Sequence, residues 1–146
     1  MNRAIYPGSF NPWHDGHTDI LKKAAKVFKD ITIAVGVNPD KLNDDMSTRM
    51  TKLNQQIDEL IVTSPELKDV RIVVCYFTGL LVDFIGDKRV AVIRGLRNAS
   101  DLEFETAQQY WNEDLGMTAP TVYFLSDRSL VHMSSSALRM LSKFKK

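Results

Sequence analysis

The sequence predicts an α/β fold with a doubly wound, five-stranded parallel sheet, and two patterns carry this prediction. Five short runs rich in Val and Ile alternate with longer segments that have helical periodicity. The apolar runs are almost continuous, as expected of strands that are buried on both faces. Strands that alternate with helices of this length form right-handed βαβ units. The 146 residues are therefore predicted to form a single Rossmann-like domain over residues 1–146.

The elements follow one another in a regular order. The first helix is predicted from apolar residues at helical spacing, among them Ile20, Leu21 and Ala24. The fourth helix opens with acidic residues such as Asp101, which suit the positive end of a helix. The predicted strands are Arg3–Tyr6, Ile31–Val37, Val70–Tyr76, Val90–Arg94 and Thr121–Leu125, and the predicted helices cover residues 17–29, 48–62, 79–86, 100–114 and 134–143.

Composition excludes several classes of protein. The net charge is +1, so the strongly basic surface typical of nucleic-acid binding is absent from the sequence. The sequence contains neither a secretory signal nor an apolar run of membrane-spanning length, which predicts a cytoplasmic protein without a membrane partner. Cys75 is the single cysteine and lies in an apolar run, which fits a buried thiol in a reducing compartment.

Four loops are expected to meet at one edge of the sheet. They follow the first, second, fourth and fifth predicted strands, and all carboxyl ends of parallel strands lie at the same edge. Ligands of open α/β sheets bind in that crevice. The loops are residues 6–17, 38–41, 94–97 and 131–136.

The first loop contains the groups that bind phosphate most readily. Gly8 allows a close approach of the backbone to a ligand, and Ser9 supplies a hydroxyl. Gly16 leaves space between the loop and the helix that follows. His17 lies in the first turn of that helix and His14 about one turn earlier, so both imidazoles can donate to phosphate oxygens.

The other loops add positive charge and hydroxyl groups. Lys41, Arg94 and Arg97 are cationic, and an arginine fork matches two phosphate oxygens. The serines at 134–136 begin the last predicted helix, where free amides also attract anions. Such a set suits phosphoryl or nucleotidyl transfer. The sequence lacks GxxxxGK[ST] and a GxGxxG after the first strand, which argues against P-loop and dinucleotide-binding enzymes.

Structural interpretations of the same residues remain open. His14 and His17 are also spaced for a metal pair, although no third ligand is evident, or for capping a helix. The two arginines also fit surface charges, and Lys41 also fits a solvated turn. Leu80 and Leu81 also fit the core rather than a pocket.

Several segments resemble one enzyme family. HDGH at 14–17 and MSSS at 133–136 resemble the HxGH and ISSS-type motifs of the nucleotidyltransferase superfamily. YPGSFNP at 6–12, NPDK at 38–41 and RGLR at 94–97 with the acidic segment after it resemble bacterial phosphopantetheine adenylyltransferases. The resemblance covers nearly the whole chain in the same order. The resemblance is to a divergent member of the family with a shortened C-terminus, because only ten residues follow Ser136.

The resemblance implies transfer of adenylyl from ATP to 4′-phosphopantetheine, giving dephospho-coenzyme A and pyrophosphate. It implies in-line attack without a covalent intermediate, Mg²⁺ that enters with the ATP phosphates, and a homo-oligomer, which is a hexamer in the family. The implied catalytic residues are Ser9, His17, Lys41 and Arg97. The implied acceptor-binding residues are Ser9, Lys41, Leu80, Leu81 and Arg94. The implied ATP-binding residues are Gly8, Ser9, Phe10, His14, His17, Gly95, Arg97, Glu105, Met133, Ser134, Ser135 and Ser136.

Some positions differ from the family pattern. They include His14 and Asn11 in the first loop, and Gly79, Leu130 and His132 at the expected pockets. Two other functions therefore remain as alternatives. One is transfer to another acceptor, as in a nicotinamide mononucleotide adenylyltransferase or a cytidylyltransferase. The other is a non-catalytic nucleotide-binding module.

Overall fold

A computed structural model describes residues 2–41 and 44–130 of the chain. The strands in this part form one sheet in the order β3-β2-β1-β4-β5, and every pairing is parallel. The predicted fold class is confirmed. The strands are β1 (Arg3–Gly8), β2 (Asp30–Val37), β3 (Arg71–Thr78), β4 (Ala91–Leu96) and β5 (Thr121–Leu125). The helices are α1 (Asp15–Ala25), α2 (Asp44–Thr63), α3 (Leu81–Ile85) and α4 (Ala99–Asp114).

The core lies on both faces of the sheet. Alternate residues of β1 point to opposite sides, as the period of a strand requires. Ala4 and Tyr6 belong to a large cluster with α1 and α2, whereas Ile5 belongs to a smaller cluster with α3. The fully buried Leu21 and Ile33 lie in the large cluster. Burial of apolar residues on both faces explains why the strand segments read as nearly continuous Val and Ile runs.

The predicted helix ends differ from the observed ends. The first helix was expected to cover 17–29, but α1 begins at Asp15 and ends at Ala25. Phe28 extends the apolar pattern of the sequence because it is buried in the core, but it follows a turn and does not belong to the helix. The second, third and fourth helices were expected at 48–62, 79–86 and 100–114, and the structure has Asp44–Thr63, Leu81–Ile85 and Ala99–Asp114. The predicted helix at 134–143 lies outside the described residues.

The carboxyl ends of the strands meet at one edge, as predicted for parallel topology. The loops after β1, β2 and β4 all leave the sheet there. The fourth expected loop, at 131–136, lies outside the described residues. Among residues 2–41 and 44–130, none of the helices combines the length and hydropathy that a membrane span requires.

Candidate active site

The two histidines of the first loop form the N-terminal cap of α1. His14 is the N-cap residue, and its Nδ1 accepts a hydrogen bond from the backbone N–H of Gly16 at 3.0 Å. His17 Nδ1 accepts from the backbone N–H of His14 at 3.1 Å. This arrangement is a capping box in which imidazoles take the place of the usual Ser and Glu. The capping interpretation is therefore correct, and it is compatible with a role in binding.

The cap also fixes which ring nitrogen carries the proton. An Nδ1 that accepts an N–H is unprotonated, so each neutral ring carries its proton on Nε2. Burial lowers the pKa of His17 to about 3, with a further decrease from the neighbouring His14. Burial also lowers the pKa of His14, and the charge of Arg97 acts in the same direction. Both rings are therefore neutral near pH 7 and offer an Nε2–H donor.

A cleft of about 240 Å³ lies beside these rings. We call it the smaller cleft. Gly8 is required at its rim because a Cβ there would lie 2.9 Å from the Phe10 ring. Phe10 has φ of 45°, a left-handed backbone conformation that is uncommon for a non-glycine residue. The cleft is lined by Tyr6, Pro7, Gly8, Phe10, His14, Gly16, His17, Ile20, Arg94, Gly95, Arg97 and Ser126.

Arg97 enters the smaller cleft already paired with Asp101. Its Nε and Nη2 donate to the two carboxylate oxygens at 3.0 and 3.3 Å, and its backbone N–H donates to the same group at 2.9 Å. The hydrogen bond from Arg97 holds the pKa of the Asp101 carboxyl below its usual range. The pair occupies one edge of the guanidinium, and Nη1 lies on the other side of the fork. The arginine is thus oriented before any ligand arrives.

A second cleft, of about 630 Å³, lies on the α3 and α4 side of the sheet. We call it the larger cleft. One wall is apolar and contains Phe77, Leu80 and Leu81, and the other wall is polar. Leu80 is half exposed, whereas Leu81 lines the cleft and also packs against the smaller core cluster. The polar wall is formed by α4 and β5, and consists of Glu105, Gln108, Gln109, Asn112, Thr121 and Tyr123.

Arg94 lies where the two clefts meet. Its Nε and Nη2 donate to the two carboxylate oxygens of Glu105 at 2.9 and 2.7 Å, and its Nη1 donates to the Pro7 carbonyl at 3.3 Å. Burial opposes its charge, yet the hydrogen bonds to Glu105 raise the pKa of Arg94 above its usual value. Arg94 therefore stays charged. Pro7, Gly8 and Arg94 line both clefts.

The structure divides the predicted site residues between the clefts. Ser9, Leu80, Leu81 and Arg94, which were expected to bind the acceptor, line the larger cleft. The residues expected to bind ATP mostly line the smaller cleft: Gly8, Phe10, His14, His17, Gly95 and Arg97. Glu105 was also expected to contact ATP, but the structure places it in the larger cleft against Arg94. Ser9 also lies on the larger cleft, although it was expected to contact both substrates.

Two groups of predicted residues are described incompletely or not at all. The backbone of Lys41 ends a short 3-10 turn, Pro39–Lys41, that follows β2 at the carboxyl edge of the sheet. Met133, Ser134, Ser135 and Ser136 lie outside the described residues, as does His132.

Sequence reasoning missed residues that hold the loops in place. Arg49 of α2 donates to the carbonyl of Ser9 at 3.1 Å. Lys23 of α1 contacts Asp19 and Asp127 at 3.0 and 2.9 Å, which joins α1 to the segment after β5. The contacts of Arg49 with Ser9 and of Lys23 with Asp127 join residues far apart in the chain, so no local motif could have revealed them.

Metal ligation by the two histidines has no support in the described part of the chain. Residues 2–41 and 44–130 contain no group of three or more His, Cys, Asp or Glu side chains placed to hold one ion. A stable protein metal site requires three or four ligands. Both Nδ1 atoms already accept hydrogen bonds in the cap.

The parallel sheet and the two clefts at its carboxyl edge define an α/β protein, and comparisons with known proteins show which family it belongs to. Residues 5–141 match the cytidylyltransferase-like family model. The fold is shared with the bifunctional NMN adenylyltransferase/ADP-ribose pyrophosphatase of Francisella tularensis. That match has a TM-score of 0.61 and 12% identity over 96% of this chain and 41% of that one. The chain therefore belongs to the cytidylyltransferase-like family.

Similar proteins of known name show which branch of this broader family the chain belongs to. The phosphopantetheine adenylyltransferase of Clostridium novyi (strain NT) is 36% identical over 149 aligned positions, which cover 99% of this chain and 85% of the relative. That of Clostridium beijerinckii is 37% identical over 145 positions, covering 99% and 86%. The chain belongs to the phosphopantetheine adenylyltransferase family.

Proposed function

We propose that this enzyme transfers adenylyl from ATP to 4′-phosphopantetheine, with release of pyrophosphate. The observation that carries the proposal is the junction of two clefts at Pro7, Gly8 and Arg94. A nucleotide in the smaller cleft and an acceptor phosphate in the larger cleft would meet there. Family membership supplies the identity of the two substrates.

The acceptor arm is matched by the walls of the larger cleft. One wall is apolar at Phe77 and Leu81, and the opposite wall carries carboxamides at Gln109 and Asn112. Pantetheine has methyl and methylene groups as well as two amides, so it can satisfy both walls. Arg94 lies at the inner end of the cleft, where it would hold the terminal phosphate. A phosphate that is ionised near neutral pH needs no strong base to attack.

The smaller cleft is suited to hold the phosphates of ATP. The Nε2–H groups of His14 and His17, the N-terminus of α1 and the guanidinium of Arg97 are donors oriented by existing hydrogen bonds. Preoriented donors stabilise the charge that develops at a phosphorus centre. We assign His17 and Arg97 to this stabilisation, together with Ser9 and Lys41. No protein nucleophile is required by this in-line route.

Three further features complete the proposal. Mg²⁺ would bind with the ATP phosphates, since magnesium often relies on substrate phosphates for its ligands. The enzyme would act in the cytoplasm and as a homo-oligomer. Glu105 would serve the acceptor side by holding Arg94, rather than contact ATP.

Release of pyrophosphate tests the substrates directly. The full-length chain is supplied with Mg²⁺ and with ATP or CTP, each combined with 4′-phosphopantetheine or nicotinamide mononucleotide. We expect release only with ATP and 4′-phosphopantetheine. Release with nicotinamide mononucleotide alone, or with CTP alone, would replace the assigned substrates. ATP binding by calorimetry without release in any mixture would instead show a non-catalytic nucleotide-binding protein.

Two substitutions at His17 separate its donor from its capping role. His17→Asn retains an acceptor near Nδ1 and lacks a donor near Nε2, whereas His17→Gln reaches the Nε2 position. We expect His17→Asn to lower kcat by roughly 10²–10³-fold, with a much smaller change in ATP affinity. His17→Gln should retain more of the activity. Equal losses of turnover and ATP affinity in His17→Asn would refute a role in the transition state.

A further inference from the structure

His17 is enclosed by aromatic rings on several sides. The Phe10 ring meets it edge-on, with centroids 4.9 Å apart and planes at 80°. The Trp13 ring lies 5.2 Å away with a tilt of 42°, and the Tyr6 ring lies 6.5 Å away. The His14 ring stacks on it at 3.7 Å. The imidazole is thus packed against carbon on most of its surface.

Trp13 is itself held in place. Its indole Nε1–H donates to the hydroxyl of Thr18 at 2.9 Å, and only 8% of the residue is exposed. Its ring also packs against Phe10 and Tyr6, with centroids 5.1 and 6.1 Å apart. Because Thr18 lies in α1 beside His17, the indole spans the loop and the first turn of the helix. Movement of the His17 ring would require Trp13 to move as well.

The orientation of His17 matters because its two nitrogens have different tasks. Nδ1 accepts from the backbone of His14, and Nε2–H remains as the donor. A rotated ring would lose the hydrogen bond to Nδ1 and would turn the donor away. Aromatic rings in edge-on and tilted geometry attract one another beyond the effect of the buried apolar area. Several such contacts on one ring suffice to select a single orientation.

We propose that Trp13 is a positioning residue that fixes the ring plane of His17 and keeps its Nε2–H directed for phosphate binding. This inference rests on the proposed function. Trp13 acts through His17 and does not itself line the smaller cleft. Its absence should therefore affect the chemical step more than the binding of either substrate.

The same enclosure has a consequence for pH. Charged and titratable groups around His17 are the N-cap residue His14, Asp15 at the start of α1, Arg94 on β4, Arg97 after β4, and Tyr6 on β1. Burial lowers the pKa of His17 to about 3, so the wild-type ring is neutral throughout the range used for assays. Solvent admitted by a smaller residue at position 13 would stabilise the charged form and raise this pKa. A protonated Nδ1 cannot accept from His14, and the cap would break.

The test compares two substitutions of Trp13 with one of Trp111, the other tryptophan of the chain. Trp111 lies on α4, is 72% exposed and lines neither cleft, so Trp111→Leu is the matched control. Trp13→Leu removes the ring, and Trp13→Phe keeps a smaller ring without the indole N–H. The His17 ring signal is identified in NMR spectra as the one that is missing from His17→Asn, and its titration is followed from pH 5.5 to about 8.5. Over the same pH range, kcat and the KM values for both substrates are measured.

We expect Trp13→Leu to raise the pKa of His17 from about 3 to about 5 or higher, toward the ordinary histidine value, so that the ring begins to titrate within the measured pH range. Its kcat should fall more steeply below pH 6.5 than that of the wild type, with both KM values within about threefold. Trp13→Phe should shift both properties less in the same direction, and it carries the test if Trp13→Leu is unstable. Trp111→Leu should match the wild type.

The proposal is overturned if the His17 titration and the pH profile of both Trp13 variants match those of the wild type. It is also overturned if Trp111→Leu changes them equally. The NMR titration needs no substrate, so its outcome does not depend on the proposed reaction. A shifted pKa in a protein without adenylyltransferase activity would refute the proposed function and retain the effect of Trp13 on His17.

Discussion

The two arginines of the site are each held by a carboxylate before a ligand is bound. Arg94 is paired with Glu105 and Arg97 with Asp101, and both pairs use two nitrogens of the fork. A flexible arginine loses side-chain entropy on binding a phosphate, and a preoriented one loses less. The carboxylates therefore do not compete for the site but hold the guanidinium planes in position. Glu105 is the more buried of the two carboxylates, so its pair is the more sensitive to substitution.

Replacing Glu105 by glutamine tests whether Glu105 holds Arg94 in position and whether it serves the larger cleft. The Glu105 side chain is 11% exposed, and its loss as an anion leaves the charge of Arg94 without its counterion. We expect Glu105→Gln to lower the free energy of unfolding by about 2–3 kcal/mol. We also expect a raised KM for the acceptor and a nearly unchanged KM for ATP.

Steady-state kinetics and urea denaturation provide these measurements. Glu103→Gln is the control, because Glu103 is exposed on the same helix and lines neither cleft. A rise in the KM for ATP with no change in the KM for the acceptor would show that Glu105 serves ATP binding instead.

At the scale of elements, helix ends serve both stability and the site. The histidines that cap α1 also line the smaller cleft, so the start of this helix and the position of the donors are determined together. α4 has the reverse of the usual burial pattern. Glu105 is buried in it, whereas Phe104 and Trp111 are exposed. One face of α4 lines the polar wall of the larger cleft, which explains why a polar residue is buried on this helix.

Close packing between α1 and β4 makes Gly95 necessary. A Cβ at Gly95 would lie 2.9 Å from Cγ1 of Ile20, a residue that is itself buried. We expect Gly95→Ala to lower the free energy of unfolding by about 1–3 kcal/mol, because overpacking displaces neighbouring atoms. Adding Ile20→Ala to Gly95→Ala should cost less than the sum of the two single substitutions, because the second makes space for the first.

Urea denaturation of the two single variants and the double variant measures this coupling. Gly36→Ala is the control, because its Cβ would have a longer closest approach, 3.3 Å to the tip of the Phe77 ring. Additive effects in the double variant would show that the close contact with Ile20 is not the reason why position 95 needs glycine.

For the whole molecule, the parallel sheet determines where the two clefts meet. All five strands end at the same edge, and the central strands β1 and β4 contribute Pro7, Gly8 and Arg94 to both clefts. Two substrates bound side by side at this junction can react directly. No covalent carrier is needed to move the adenylyl group between separate sites.

Initial-rate kinetics should therefore show a ternary complex. Varying ATP at several fixed concentrations of 4′-phosphopantetheine should give intersecting double-reciprocal lines. Labelled pyrophosphate should not exchange into ATP when the acceptor is absent, since no adenylyl-enzyme forms. Parallel lines, together with acceptor-independent exchange, would indicate a covalent intermediate and contradict direct transfer.

Local patterns in the sequence were sufficient for most of the fold. Runs of Val and Ile such as Ile31–Val37 and Val90–Arg94 predicted strands within one or two residues, because burial on both faces leaves a continuous apolar signal. Parallel topology then placed the loops after β1, β2 and β4 at one edge. Helix ends were predicted less well, since Phe28 extends the apolar pattern of α1 although a turn separates it from the helix.

The sequence by itself determined the alternation of strands and helices, the edge of the sheet at which the candidate site lies and the residue types found there. Only the tertiary structure decided which of those residues share a cleft. Arg94 forms hydrogen bonds with Glu105, eleven residues away, and Arg49 donates a hydrogen bond to Ser9 across 40 residues. Periodicity arises from neighbours along the chain, whereas these contacts arise from packing between elements. For that reason the donors could be predicted from the sequence, whereas the distant groups that hold Arg94 and the first loop could not.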